Sequence, residues 1–242
     1  MNIGVKTFDD SNFLKHFENK ADFFEIMASQ KVNHSFLKSF SLPIVIHAEH
    51  SAFGVNIADN TKDKLNLKSV NYAIKLADMT NSKKIILHPG IIENKDCSLI
   101  NAVNFLNKID DERILIENLP FKDNEKKSLC STPEEIKEFL KRTNRGFCFD
   151  ANHSIQSSIL NKKDYFLEIK KFLKLNPNHF HISGQSLQGN LNDHLSFMHS
   201  DLDFKEILKE YPRNADITLE TETDIKKVDF DLEFIKKITD KI

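Results

Sequence analysis

Eight short apolar runs, separated by stretches of helical periodicity, recur along the chain. They occupy residues 2–6, 23–27, 43–47, 84–88, 113–117, 146–150, 179–182 and 216–220. The helical patterns between them include residues 65–79, 99–109, 132–141, 165–175 and 204–211. Continuous apolar strands that alternate with amphipathic helices imply parallel strands covered on their outer face. Eight such units close most naturally into a (β/α)8 TIM barrel of the α/β class, and 242 residues is the usual size for one. The expected organisation is therefore a single barrel domain spanning residues 1–242. An open doubly wound sheet would call for a glycine-rich phosphate loop after the first strand. Gly4 stands alone there, and the chain has only 6 glycines. Ser131-Thr132-Pro133-Glu134-Glu135 places a capping hydroxyl before Pro and two acids, which predicts a helix start ahead of the sixth strand. The polar stretches 121–127 and 183–203 each follow a strand and are expected to form loops over the barrel mouth.

Composition narrows the partners. With 40% hydrophobic and 29% charged residues the chain reads as globular. Runs such as Ile44-Val45-Ile46 and Ile85-Ile86-Leu87 are too short to cross a bilayer, so no membrane partner is expected. The first residues lack a basic region followed by an apolar stretch, which points to a cytoplasmic location. Cys97, Cys130 and Cys148 lie in no metal-ligand or redox spacing and are expected to be reduced and structural. A formal charge of −2 gives no global electrostatic case for nucleic-acid binding. Lys83, Lys84, Lys122, Lys126 and Lys127 form either a local phosphate-binding strip or, more commonly for such residues, a solvated face.

The chemistry lies at the strand ends. Six of the eight runs finish on an imidazole or carboxylate directly after apolar residues: His47, His88, Glu117, Asp150, His181 and Glu220. The loops add His153 and His194. Any one strand-end His is more often a hydrogen-bonded structural residue than a ligand. In a barrel, however, the C-terminal ends of all parallel strands share one face. Bare imidazoles and carboxylates at a packed rim are costly unless paired, and a divalent cation satisfies several at once. Asp150 and His153 are spaced to reach one cavity. His50 is as consistent with a surface position as with a ligand, and His16, His34 and His179 carry no motif and are read as structural.

Taken in order, His88-Pro89-Gly90, Glu117-Asn118, Asp150 through His153, His181, Asn192-Asp193-His194-Leu195 and Leu219-Glu220-Thr221 resemble the motifs of endonuclease IV-type AP endonucleases, within the xylose isomerase-like superfamily. The resemblance spans strands three to eight. It implies that His47, His88 and Glu117 hold one metal, that Glu117 bridges to a second held by Asp150, His181 and Glu220, and that His153 and His194 belong to a third. In the sugar isomerase branch, Glu117, Asp150, His181 and Glu220 would hold a single Mn²⁺, Mg²⁺ or similar ion. The His47 and His88 pair favours Zn²⁺ or Fe, whereas carboxylate-rich ligation suits the harder ions. The sequence departs from the endonuclease pattern in four places. Asn192 stands where an Asp ligand is usual, and Leu119-Pro120-Phe121 and Ser154-Ile155-Gln156-Ser157 replace glycine-rich stretches. Phe197-Met198-His199-Ser200 replaces a Gly-x-Gly turn.

Three functions follow. The first is a metal-dependent phosphodiesterase that directs a metal-activated water at a phosphoester, with abasic DNA as the substrate that the resemblance implies. His47 and His88 support it, and the slightly acidic charge, the altered loops and Asn192 oppose it. The second is a sugar or sugar-phosphate isomerase or epimerase, in which Glu117 and Glu220 act as general bases beside one ion. No Arg or Lys is evident near His181 to grip such a substrate; Gln185 and Gln188 are the nearest loop residues. The third is a degenerate, non-catalytic barrel.

Overall fold

The computed structural model describes residues 1–123, 126–187 and 194–242. Eight parallel strands form its closed barrel: β1 (Asn2–Thr7), β2 (Phe23–Met27), β3 (Ile44–His47), β4 (Ile85–Leu87), β5 (Ile114–Glu117), β6 (Gly146–Asp150), β7 (His179–Ile182) and β8 (Asp216–Leu219). Each strand pairs with its neighbours in sequence, and β1 pairs with β8 to close the ring. The outer helices are α1 (Ser11–Phe17), α2 (Asp63–Thr80), α3 (Leu99–Leu106), α4 (Pro133–Thr143), α5 (Ala151–Leu160), α6 (Tyr165–Leu173), α7 (Phe204–Lys209) and α8 (Ile225–Thr239). The chain is thus a single (β/α)8 barrel, as its alternating pattern predicts. No helix among the described residues is long and apolar enough to cross a membrane.

Two-residue alternation along each strand divides the apolar residues into two sets. Ile3, Val5, Phe24, Ile26, Ile46, Ile85, Ile116, Phe149, Phe180 and Ile217 face outward into the large core shared with the helices. Phe23, Val45, Ile86, Leu115 and Cys148 form a separate small cluster inside the barrel. Gly4 lies beside them, because a Cβ there would stand 2.3 Å from the Phe23 ring. Two residues further along the same inward phase the apolar filling stops. Lys6, Glu25, His47, Glu117, Asp150 and His181 succeed it, and the register sets His181 beside Asp150 and Glu117 beside Cys148.

The helix caps connect this polar layer to the fold. Thr132 caps α4 with Pro133 in its first turn, as the sequence predicts. Asp150 both ends β6 and caps α5, its Oδ1 accepting the His153 N–H at 2.7 Å. The stretch Ser154-Ile155-Gln156-Ser157, read from sequence as an altered loop, lies inside α5, with Ser157 Oγ donating to the His153 carbonyl at 2.8 Å. Residues 122–123 and 126–128 run antiparallel and are joined by Ile91–Ile92 in a small three-stranded sheet after β4 and β5. Residues 197–199 form one 3-10 turn. The three cysteines are free and buried.

Candidate metal centre

The strand-end residues converge. Glu117, fully buried at the end of β5, faces two groups with its two oxygens. Its Oε2 lies 3.2 Å from His47 Nε2 and 3.2 Å from His88 Nε2. Its Oε1 lies 3.3 Å from His153 Nδ1 and 3.6 Å from His181 Nδ1. His181 Nδ1 is in turn 3.1 Å from Glu220 Oε2 and 3.9 Å from Asp150 Oδ2. Glu117, Asp150, His181 and Glu220 therefore offer ligand atoms all within 4.8 Å of one another, and so do His47, His88 and Glu117.

Hydrogen bonds to backbone carbonyls fix which ring nitrogen carries the proton, the one away from Glu117 in His47 and the one beside Glu117 Oε1 in His153. His47 Nδ1 donates to the Ala48 carbonyl at 2.9 Å, His153 Nδ1 to the Asn118 carbonyl at 2.8 Å, and His194 Nδ1 to the Glu220 carbonyl at 2.7 Å. A neutral ring that donates through Nδ1 carries its lone pair on Nε2. His47 Nε2 then faces a carboxylate oxygen lone pair to lone pair, a repulsive contact unless a cation sits between them. Burial, reinforced by the charge of Lys6, lowers the His47 pKa and favours that neutral form. Glu117 Oε1, His181 Nδ1 and Glu220 Oε2 are buried and have no hydrogen-bond partner among the described residues. Such atoms are expensive to leave unpaired. The Ala48 carbonyl on the outer nitrogen of His47 and the orphaned Glu117, His181 and Glu220 atoms on the inner side are what a divalent cation requires, so the residues present fit one.

The charges around the centre are strongly perturbed. Burial pushes the Asp150 carboxyl up, and the charges of Glu220 and Glu117 add to this against the pull of His153, bringing it to about 6. Burial opposes ionisation of Glu117 as well, but His88 and His181 hold it well below the usual carboxylate range. Burial likewise opposes protonation of His181, yet the carboxylates of Glu25, Glu220 and Glu117 raise its proton affinity.

Reading by residue type misses two groups. Lys6, on β1, hydrogen-bonds Glu220 Oε1 and lies 3.1 Å from Glu25 Oε1, with only 9% of its side chain exposed. An ammonium therefore does stand beside the His181 and Glu220 pair, which corrects the expectation that none is near. Glu25, on β2, is fully buried and receives His181 Nε2–H at 3.0 Å. A signal for both was present. Each is a charge placed one step along the inward phase of an apolar strand, Lys6 after Gly4 and Glu25 after Phe23.

The remaining expectations divide. His153 and His194 approach with ring centroids 6.5 Å apart, while Asn192, Asp193 and Gln188 lie outside the described residues. His50 stacks on His88 at 4.6 Å and is half-buried at the cavity wall. His34 is structural, bonded to Tyr72 and the Met27 carbonyl, and His16 pairs with Asp229 at the surface. His179 is buried inside the barrel. The five lysines form no continuous strip. Lys84 pairs with Asp216 at the opposite end of the barrel, whereas Lys126 pairs with Glu93 by the mouth. Above the centre lies a cavity of about 390 Å³ lined by Lys6, Phe8, His47, Glu117, His194 and Glu220 among others.

Residues 9–238 match the sequence model for the xylose isomerase-like TIM barrel. The chain belongs to that family. An uncharacterized protein of Methanocaldococcus jannaschii is 26% identical to this xylose isomerase-like chain over 240 residues, covering 87% of each. Among solved structures, a D-tagatose 3-epimerase-like protein superposes with a TM-score of 0.77 at 22% identity, covering 99% of this chain and 97% of its own. Endonuclease IV from Thermus thermophilus superposes with a TM-score of 0.70 at 15% identity, covering 100% of both chains. At such identities the likeness carries the xylose isomerase-like fold, and these neighbours are named for both kinds of chemistry.

Proposed function

We propose that this protein is a divalent-metal-dependent phosphodiesterase of the AP endonuclease type. The observation that carries the reading is the placement of Glu117. One carboxylate oxygen faces His47 and His88 and the other faces His181, the arrangement a carboxylate shared between two cations needs. A one-ion isomerase has no use for the His47 and His88 pair. In this reading His47, His88 and Glu117 hold one ion, Zn²⁺ before Fe; Glu117, Asp150, His181 and Glu220 hold the other, with Mn²⁺ and Mg²⁺ also suited to its carboxylates. His153 and His194 are assigned to a third. The bound ions would supply charge for a phosphoryl oxygen and acidify water. The chain's own residues orient and enclose: Ala48, Asn118 and the Glu220 carbonyl fix the imidazoles, and Leu119 and Pro120 help wall the adjoining cleft beside His153.

A second reading, a sugar or sugar-phosphate isomerase or epimerase, draws on one specific observation. The cavity is of small-molecule size and brings Lys6 together with Glu117 and Glu220, the two carboxylates able to move a proton between carbons. The experiment that separates the two supplies the metal-stripped protein with Zn²⁺, Mn²⁺, Fe²⁺ or Mg²⁺ in turn and offers an abasic-site duplex, a small phosphodiester and a panel of sugars. Phosphodiester cleavage that disappears in Glu117→Ala is expected. Sugar conversion without cleavage under any metal overturns the phosphodiesterase and leaves the second reading.

A further inference from the structure

Resting on the metal-centre reading above, we propose that Glu25, which offers no ligand atom to the cavity, is the positioning residue of the centre. A carboxylate at 0% exposure inside a barrel replaces what would otherwise be an apolar filler, and a buried charge is retained only where several partners hold it. Glu25 has four. Its Oε2 accepts Thr218 Oγ1–H at 2.7 Å and His181 Nε2–H at 3.0 Å, and lies 3.3 Å from His179 Nε2. Its Oε1 lies 3.1 Å from the Lys6 ammonium.

The donors and acceptors assign themselves in one direction. His179 Nε2–H donates to Thr218 Oγ1 at 2.8 Å, so the Thr218 hydroxyl proton is directed to Glu25. Glu25 then holds the Nε2–H of His181, which leaves Nδ1, the orphaned nitrogen, aimed at Glu117, Asp150 and Glu220. Through Lys6 the same carboxylate reaches a second ligand. Lys6 engages Glu220 Oε1 and leaves Oε2, the atom nearest His181, as the free one. Glu25 thus fixes the ring orientation of one ligand directly and the usable oxygen of another through a salt bridge. Glu25, His179 and His181 also lie close enough to be a ligand set themselves. The Lys6 ammonium against Glu25 disfavours a cation in that position.

The test uses the full chain stripped with chelator and Zn²⁺ alone as the probe. In titration calorimetry Glu25→Gln binds Zn²⁺ about 10–100-fold more weakly than the wild type, the usual cost of losing an outer-shell carboxylate. Thr218→Val shifts affinity in the same direction by a smaller factor. Nitrogen-15 spectra of the Zn²⁺-loaded wild type show His181 as a protected Nε2–H with Nδ1 bound, a signature that a merely structural Glu25 would not fix. That spectrum and the Thr218 variant decide the matter if Glu25→Gln fails to fold. Affinity unchanged within twofold in Glu25→Gln, or His181 bound through Nε2, overturns the inference and leaves the metal-centre reading intact. No Zn²⁺ binding by the wild type overturns both.

Discussion

Asn118 offers a way to weigh how the centre is held, because it connects two strands that end in candidate ligands through a reciprocal pair of bonds. Its Nδ2 donates to the Asp150 carbonyl at 2.8 Å and its Oδ1 accepts the Asp150 N–H at 2.8 Å. Asn118 is fully buried and Asp150 nearly so. Asn118→Ala removes both bonds and leaves a buried backbone donor and acceptor without their partners. Each such group costs about 1–3 kcal/mol, so the variant is expected to lose about 2–6 kcal/mol, the lower end applying if a water enters the vacated space. The assay is urea unfolding at neutral pH with metal-free protein, combined with hydrogen exchange at the Asp150 amide. The midpoint should fall with an unchanged slope, and Asp150 amide protection should drop beyond the global loss. A change under about 0.5 kcal/mol with Asp150 protection retained would refute the view that Asn118 splices β5 to β6.

Two further expectations concern the rim. Gly90, with φ at +104°, has no room for a Cβ, which would lie 2.5 Å from Asn56 Oδ1 and 2.9 Å from the Ala58 backbone nitrogen; Gly90→Ala should cost about 2–4 kcal/mol in chemical unfolding. Hydrogen bonds from Lys62 and Lys126 hold the Glu93 carboxyl down to about 2. A depressed folded pKa gives stability that is present above the ordinary carboxylate pKa and is lost as pH falls toward about 2. Wild type should therefore exceed Glu93→Gln by about 1 kcal/mol or less at neutral pH, and the gap should close between pH 4.5 and about 2 in pH-dependent thermal unfolding.

The strands were legible because their outward faces are almost entirely Ile, Val, Leu and Phe and because most of the runs break off at an imidazole or carboxylate. The observed β2, β6 and β7 coincide with the runs at 23–27, 146–150 and 179–182, and the other strands differ by one residue at one or both ends. The ligand-type residues were legible for the same reason, since parallel closure brings every strand end to one mouth. Helix α5 was not. Its residues, Ala151 through Ser158, are mostly polar yet all buried, so no amphipathic stripe announces it; the cap at Asp150 is its one local signal. Lys6 and Glu25 went unread because their partners lie on other strands, and only the closed ring brings β1, β2 and β8 together. Asn118 was visible as a neighbour of Glu117, but its hold on Asp150 depends on β5 and β6 lying side by side.

Elemental analysis of the purified chain, reconstituted with Zn²⁺ and then washed free of loosely held ion, bears most directly on whether these side chains gather around cations. Two or more tightly held ions per chain are expected, with one fewer in His88→Ala. A chain that retains none, or a single ion indifferent to the loss of His88, would contradict the shared-carboxylate centre.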